Sequence, residues 1–264
     1  MAFSSQLYPN EQIINDSTPL SAMQPPAGFG RGLDLSARTP AGYGDLADMF
    51  PDELLVPESE WQARIQEMEE RKSRLSDIVD QAGLPCKDQS STLYCWINAP
   101  THCVEISRVI QNQEMVILSP ASAGAPIKNF RNEGGWGKEG LEYIIEHGLV
   151  PVDKWPANAI SRQYWTEDNK KIALNYRAVE WTECRPRNKQ QFISSLFRRW
   201  PGAAGLNHWS HEVTYYDVIW LDGTAAVRFR NSWGMSYGTR GYGILQGSKM
   251  LPDDYVCVRT ALAA

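Results

Sequence analysis

The sequence predicts an α+β fold in which helices and strands occupy separate lobes. Helical apolar periodicity dominates the middle of the chain, whereas strand-like segments dominate its last third. There, Asp222-Gly223 lies between two apolar runs at 213–220 and 225–230, which is a strong signal for a β-hairpin. Chains with helices first and strands later typically form α+β domains rather than alternating α/β layers.

The sequence divides into three predicted segments. Residues 1–57 hold seven of the 16 prolines and no apolar period, which predicts an extended arm held by the chain's own body or by a larger assembly. Glycines 28, 30 and 32 suggest a phosphate loop only weakly, because no strand precedes them. Residues 58–83 predict one amphipathic helix, which either packs on the main body or binds a partner. Residues 84–264 are predicted to form the main domain.

Residues 84–264 also contain shorter predicted helices and strands. Apolar spacing predicts helices and glycine-bounded apolar runs predict strands. The further helices are expected at 104–110, 138–148 and 190–200, and the further strands at 241–245 and 255–258.

Composition excludes several functions. The 264 residues are 42% hydrophobic and 22% charged, as in ordinary globular chains. The net charge of −5 argues against nucleic acid or an anionic membrane as a partner. No apolar run approaches the ~18 residues of a membrane helix, so we expect no membrane insertion.

The five cysteines are scattered and form neither a CxxC pair nor a zinc spacing. We therefore expect no metal, no cofactor and a reducing environment. The first residues lack a basic patch followed by an apolar stretch, so no signal peptide is expected. The predicted location is the cytoplasm or an assembly kept reduced, such as a virion.

Four residues supply the parts of a thiol nucleophile's site. Cys95 precedes a helical run, His211 begins the first late strand, and Asn231 follows the second. A cysteine nucleophile needs a base, a group that orients the base and donors for an oxyanion, for which Gln89 is the candidate. Each residue alone has an ordinary structural explanation, and other histidines at 102 and 208 compete with His211.

The motifs around these residues resemble those of the papain-like cysteine peptidases over roughly residues 76–260. The ordered set is more specific than any of its parts. It comprises Pro85-Cys86-Lys87-Asp88-Gln89, Cys95-Trp96, Leu118-Ser119, Gly134-Gly135-Trp136, His211 with Val213, Asn231-Ser232-Trp233-Gly234 and Gly241-Tyr242-Gly243.

The resemblance implies a two-lobed fold, with one helical lobe and one antiparallel β lobe. It also implies an enzyme that cleaves protein or peptide substrates. Cys95 would be a thiolate paired with the imidazolium of His211, which Asn231 orients. Gln89 and the Cys95 N–H would hold the oxyanion. The substrate-binding residues would be Gly134, Gly135 and Trp233, the last of which would also shield the His211–Asn231 bond from water.

Magnitudes indicate which interaction such a thiolate depends on. Lowering a cysteine pKa from ~8.5 to ~4 takes about 6 kcal/mol. A helix N-terminus contributes ~0.3–1 kcal/mol, and up to ~2 kcal/mol when partly buried. The ion pair with His211 must therefore supply most of the shift.

Several positions depart from the family's pattern. Leu93 and Tyr94 replace two small residues before the nucleophile, which predicts either a narrowed cleft or a reshaped site for the leaving residue. Pro100 disfavours a helix that begins at Cys95 and allows one that begins at Pro100 itself. Glu212 stands next to His211, and strand alternation predicts that its side chain points away from the imidazole.

The sequence is also compatible with two other functions. A structural or assembly protein on a peptidase scaffold, a virion component for example, would dock through residues 1–83 and show weak or no proteolysis. A peptidoglycan amidase is a weaker alternative, because the Asn-Ser-Trp-Gly element fits the peptidases better. An ordinary inhibitory prodomain helix is disfavoured, since the helix predicted at 58–83 lies too close to Cys95.

Overall fold

Helices form one lobe and much of the surface of the other. The computed structural model describes Tyr8, residues 10–35 and residues 48–263, so arm residues 1–7, 9 and 36–47 lie outside the described part. The helices are α1 Trp61–Glu70, α2 Leu75–Ala82, α3 Cys95–Ile110, α4 Ala121–Ile127, α5 Gly137–His147, α6 Glu167–Ala173 and α7 Lys189–Phe197. Within the described residues, none of the helices has the length and apolarity needed to cross a bilayer.

The strands form a single eight-stranded sheet within the described residues, and the α+β prediction is confirmed. They are β1 Gln12–Ile14, β2 Asp48–Met49, β3 Ala178–Glu183, β4 Gly202–Leu206, β5 His211–Leu221, β6 Thr224–Arg230, β7 Tyr242–Leu245 and β8 Asp254–Ala261. Their order is β1-β7-β6-β5-β4-β8-β3-β2. Both edge strands come from the arm, and each pairs parallel with its neighbour, whereas all other pairs are antiparallel.

The β5–β6 hairpin forms where the sequence predicts it. Asp222 and Gly223 adopt φ values of 49° and 82°, as a two-residue turn of the mirror-image type requires. The strands on either side pair from Leu221↔Thr224 to Thr214↔Arg230. This register brings the start of β5 close to the residues that follow β6.

Helix α3 is the central helix, with all of its side chains from Cys95 to Val109 buried. It packs against α5 on one side and against β4, β5 and β8 on the other. The alternative that this helix begins at Pro100 is wrong. The carbonyl of Tyr94 accepts hydrogen bonds from the Asn98 backbone N–H at 2.9 Å and side-chain Nδ2 at 2.8 Å, which secures the first turn. Pro100 sits in the second turn, where it lacks only the N–H that would face the Trp96 carbonyl.

Residues 58–83 form two helices rather than the single predicted helix. Lys72 adopts a left-handed φ of 49°, which ends the first helix. The second begins at a capping box in which Asp77 Oδ2 accepts the Arg74 backbone N–H at 3.1 Å. Trp61, Ile65, Leu75 and Val79 are buried in the main core, so both helices pack on the body of the protein.

Candidate active site

The predicted catalytic residues come together where the helical lobe meets the sheet. Cys95 is the first residue of α3 and His211 is the first residue of β5, while Asn231 directly follows β6. Because β5 and β6 are antiparallel neighbours, the start of one lies beside the end of the other. His211 Nε2 and Asn231 Oδ1 are 2.8 Å apart.

Aromatic rings fix the orientation of the His211 imidazole. Trp233 stacks on it with ring centroids 4.6 Å apart, and the Trp209 ring approaches edge-on at 5.0 Å. Asn231 Oδ1 also accepts the Ser232 backbone N–H at 2.8 Å, which fixes that oxygen as the acceptor facing Nε2. Nε2 therefore carries the proton in the neutral ring, and Nδ1 is the free base. Nδ1 is buried and has no hydrogen-bond partner.

The Cys95 sulfur is fully buried, and backbone N–H groups surround it. The Gly32 N–H donates to Sγ at 3.1 Å, and the N–H groups of Trp96 and Glu212 also face the sulfur. The contact with Glu212 places the sulfur beside the residue that follows His211. In this state no hydrogen bond joins the thiol to Nδ1 of His211.

Burial keeps both groups neutral in this state. Burial, with the Glu212 carboxyl adding to it, raises the pKa of Cys95 to about 12 against the N–H groups that lower it. Burial also lowers the pKa of His211 to about 3, although its hydrogen bond to Asn231 opposes the shift. At pH 7 the site therefore holds a thiol and a neutral imidazole, and the thiolate–imidazolium pair is absent.

Gln89 lies beside the Asn-Ser-Trp-Gly segment. Its backbone N–H donates to the Ser232 carbonyl at 2.8 Å, and its Oε1 accepts from the Ser232 hydroxyl at 2.5 Å. These bonds direct its Nε2 to the carbonyls of Thr92 at 2.7 Å and Gly30 at 3.1 Å. Its neighbours thus orient the Gln89 side chain, the predicted oxyanion donor, and the Gly30 carbonyl of the arm accepts one of its hydrogen bonds.

Residues 29–34 of the arm cross the site and cover it. Gly30 inserts its carbonyl between Gln89 Nε2 and Trp233 Nε1, each 3.1 Å away. Two residues later, Gly32 donates its N–H to Cys95. A peptide therefore reaches the sulfur only after this segment has moved.

The same segment pairs with Gly135, one of the predicted substrate-binding residues. Gly135 donates its N–H to the Gly32 carbonyl at 2.9 Å and accepts the Asp34 N–H at 3.2 Å, which makes a parallel bridge centred on Leu33. A Cβ on Gly134 would lie 2.5 Å from the Gly32 carbonyl oxygen. The Gly-Gly pair therefore offers the peptide-binding backbone that the sequence predicts, and the arm occupies it.

Glycine is required in the arm for close backbone contact. A Cβ on Gly32 would lie 1.7 Å from the carbonyl oxygen of Leu93, and one on Gly30 would lie 2.3 Å from that of Thr92. No other residue fits such a distance. Gly30 and Gly32, which belong to the glycine series that suggests a phosphate loop only weakly, let the arm lie flat on the loop before Cys95.

Two further contacts hold the arm on the β lobe. The Trp209 indole donates to the Met23 carbonyl at 2.6 Å, and Arg31 donates to the Trp209 carbonyl at 2.9 Å. Met23 is itself buried in the main core. The chain's own body thus holds the arm, which is one of the two possibilities that its composition left open.

The Tyr94 side chain lies in the helical lobe. Its ring is fully buried in the helical lobe against Gly124, and its hydroxyl donates to the Arg131 carbonyl at 2.9 Å. Leu93 contributes its backbone to the contact with Gly32. The bulk of Tyr94 therefore supports the helical lobe, whereas the contact of Leu93 with the arm is made by its backbone.

The competing histidines have other partners or positions. His102 is buried within α3 and uses both ring nitrogens, with Glu105 at 2.9 Å and the Tyr216 hydroxyl at 2.6 Å. His208 lies in the turn before β5, and burial lowers its pKa to about 4. His211 is the histidine that faces the asparagine and approaches the cysteine.

Comparison with known proteins shows a papain-like fold. Xylellain, a cysteine protease from Xylella fastidiosa, superposes with a TM-score of 0.62 at 18% identity, covering 88% of this chain and 96% of its own. Procathepsin L 3 from the Tenebrio molitor larval midgut gives 0.57 at 16% identity over 67% of this chain and 66% of its own. Procathepsin B S9 from Trypanosoma congolense gives 0.58 at 13% identity over 72% and 77% of the two chains.

These likenesses define the fold alone. No protein-family model matches the sequence, and no curated protein matches it either. The match to xylellain covers 88% of this chain, which is more than residues 84–264 supply, so it extends into residues 1–83.

Proposed function

We propose that the protein is a cysteine peptidase that hydrolyses peptide bonds with Cys95 as nucleophile, His211 as acid–base and Asn231 as the residue that orients His211. The observation that supports the proposal is that His211 Nε2 lies 2.8 Å from Asn231 Oδ1, while the backbone N–H of the next residue, Glu212, faces the buried Cys95 sulfur. The papain-like fold supports it.

The site supplies each group that amide hydrolysis needs. Once the arm has left and water enters, Nδ1 of His211 takes the Cys95 proton, and the sulfur bonds to the substrate carbonyl carbon. Gln89 Nε2 and the Cys95 N–H stabilise the oxyanion. The protonated Nδ1 then gives its proton to the leaving amine, and His211 activates the water that hydrolyses the thioester.

The arm is proposed to inhibit this reaction in the state described. It fills the peptide-binding backbone at Gly135 and accepts one of the two hydrogen bonds that Gln89 Nε2 donates, and its burial of the site favours the neutral thiol. The Cys95 sulfur accepts a hydrogen bond from the Gly32 N–H at 3.1 Å, which stabilises the docked arm rather than a reacting substrate. The docked arm is thus a non-productive occupant.

The alternative function is that of a structural or assembly protein. A protein that docks through residues 1–83 would have to detach β1 from β7 or present the outer surfaces of α1 and α2. Size-exclusion of the full chain against a chain starting near Glu58 tests it. Identical monomeric profiles would remove its support.

The experiment that tests the peptidase proposal is covalent trapping by a peptidyl epoxide directed at thiols, read by mass spectrometry. We expect the full chain to gain one adduct at Cys95, with no adduct on a Cys95→Ala variant. A Cys184→Ala variant is the matched control, since Cys184 is also buried but lies away from His211. An absence of both trapping and peptide hydrolysis in a Gly32→Ala variant, in which the new methyl would lie 1.7 Å from the Leu93 carbonyl oxygen and displace the arm, would refute the proposal.

A further inference from the structure

A buried carboxylate of the arm binds an arginine of the β lobe, far along the chain from the active site. Glu11 lies directly before β1, and its side chain is 2% exposed. Arg228 in β6 donates through Nε to both carboxylate oxygens, at 2.9 and 3.0 Å, and through Nη2 to Oε1. Its guanidinium carbon also lies 3.8 Å from the centroid of the Tyr242 ring. Because bidentate, charge-assisted pairs are among the stronger polar contacts in proteins, Arg228 anchors the start of the arm.

A second carboxyl group faces the same arginine from within the body of the protein. Asp217 in β5 is the register partner of Arg228, and its side chain is 1% exposed. Its Oδ1 accepts the Ser76 backbone N–H at 3.2 Å. Its Oδ2 lies 3.9 Å from Arg228 Nη1 and has no hydrogen bond within the described part of the chain. Burial raises the pKa of Asp217 against the opposing charge of Arg228. Buried polar atoms normally have partners, so the free oxygen indicates a contact that this state lacks.

The two carboxylates compete for one guanidinium. A charge-assisted N–H···O bond is ~2.8 Å long, so Arg228 Nη1 is only about 1 Å too far from Asp217 Oδ2 to make one. A rotation of the arginine side chain covers that distance once Glu11 has left with the arm. The charge of Asp217 therefore compensates Arg228 after release, and it repels the Glu11 carboxylate while the arm is docked. Both effects lower the free energy of the released state relative to the docked state.

We propose that Arg228 is a two-position latch that controls access to Cys95, because it binds Glu11 when the arm is docked and Asp217 when the arm has left. Control of activity by this latch rests on the proposed peptidase function, whereas control of access to the thiol does not. Glu11 thus favours the covered site and Asp217 favours the open one, although both are acidic and both face the same arginine.

The arm connects the latch to the active site. From Glu11 it continues through β1, which pairs with β7, and through Met23, which is buried in the main core. It then reaches Gly32, whose N–H donates to the Cys95 sulfur at 3.1 Å. Since these contacts lie along one segment, loss of the first of them raises the population in which residues 29–34 leave the site.

Opposite effects of the two carboxyl groups test the latch in the full chain. The readout is the rate at which iodoacetamide alkylates Cys95, followed by mass spectrometry of the peptide that contains it. Glu11→Gln removes the charged partner of the docked state and should speed alkylation roughly tenfold. Asp217→Asn keeps an oxygen for the Ser76 N–H but removes the charged partner of the released state, so it should slow alkylation roughly threefold.

Asp80→Asn is the matched control. Asp80 in α2 also accepts one hydrogen bond, from the Tyr242 hydroxyl at 3.1 Å, and faces an arginine, Arg230, at 3.7 Å. These partners lie outside the arm, so we expect alkylation at the wild-type rate. An unchanged rate in Glu11→Gln would overturn the proposal, and so would faster alkylation of Asp217→Asn at an unchanged melting temperature.

The double variant decides the question if Asp217→Asn lowers the melting temperature. Because Arg228 then has no second carboxylate, Glu11→Gln should accelerate alkylation by a larger factor in the Asp217→Asn background than in the native one. This ratio of rates is independent of a general loss of stability that both proteins of the pair share. An equal or smaller factor would overturn the proposal.

Peptide turnover separates the latch from the peptidase proposal. If Cys95 is the nucleophile, the rate of peptide hydrolysis should follow the order of the alkylation rates, with Glu11→Gln above the wild-type protein and Asp217→Asn below it. If none of these proteins cleaves a peptide, and Gly32→Ala does not either, the peptidase proposal fails while the alkylation rates still decide the latch.

Discussion

A Gly32→Ala variant is expected to be alkylated at Cys95 roughly 10- to 100-fold faster than the wild-type protein. The new methyl would lie 1.7 Å from the carbonyl oxygen of Leu93, so the arm must leave its position. Overpacking costs ~1–3 kcal/mol, and each ~1.4 kcal/mol changes an equilibrium tenfold. Since Cys95 is fully buried beneath the arm, its reactivity reports arm release directly.

Gly28→Asn is the matched control for that experiment. Gly28 lies in the same arm with a φ of +88°, which asparagine tolerates better than most residues, and nothing lies within 4 Å of its Cβ position. We expect this variant to react at the wild-type rate. Equal alkylation rates of Cys95 in Gly32→Ala and in the wild-type protein would show that residues 29–34 do not block access to the thiol.

Loss of His211 is expected to have the second large effect. In the Gly32→Ala background, a further His211→Ala change should lower peptide turnover by ~10²–10⁴-fold or more, because it removes the acid–base group. It should also remove the partner of the thiolate. Asn231→Ala is the graded comparison, since it leaves the imidazole and removes only the group 2.8 Å from Nε2.

The pH dependence of Cys95 alkylation tests the ion pair between Cys95 and His211 independently of peptide turnover. With the arm docked, burial raises the pKa of Cys95 to about 12 and lowers that of His211 to about 3. Loss of the thiol proton therefore favours release of the arm, so the alkylation rate of the wild-type protein should rise with pH. With the arm released, the paired thiol should titrate far below the ~8.5 of a free cysteine. His211→Ala should move the inflection up by at least ~2 pH units. An unchanged inflection would contradict pairing of the two groups.

Patterns that depend on neighbours in sequence predicted much of the fold. The Asp222-Gly223 hairpin follows from two residues that accept positive φ, and the strands around it follow from their apolar runs. Strand β4 was not predicted, because its sequence Gly-Ala-Ala-Gly-Leu has small residues where strands usually have branched ones. The break at Lys72 has no sequence signal, since lysine rarely adopts its left-handed conformation.

The site was predictable because motif residues in a fixed order resemble a family, and the structure brings Cys95, His211, Asn231 and Gln89 together. The covering arm was not predictable in the same way. Gly30 and Gly32 are required by contact with carbonyls about 60 residues away in the chain, and no local pattern carries that information.

Peptide hydrolysis by three full-length proteins tests the central claim most directly: the wild-type protein, Gly32→Ala and Gly32→Ala/Cys95→Ala. The predicted result is turnover by Gly32→Ala at least ~10-fold above the wild-type rate, with none from the double variant. Hydrolysis that survives replacement of Cys95 would contradict the account. So would a Gly32→Ala protein whose thiol reacts readily with iodoacetamide yet cleaves no peptide.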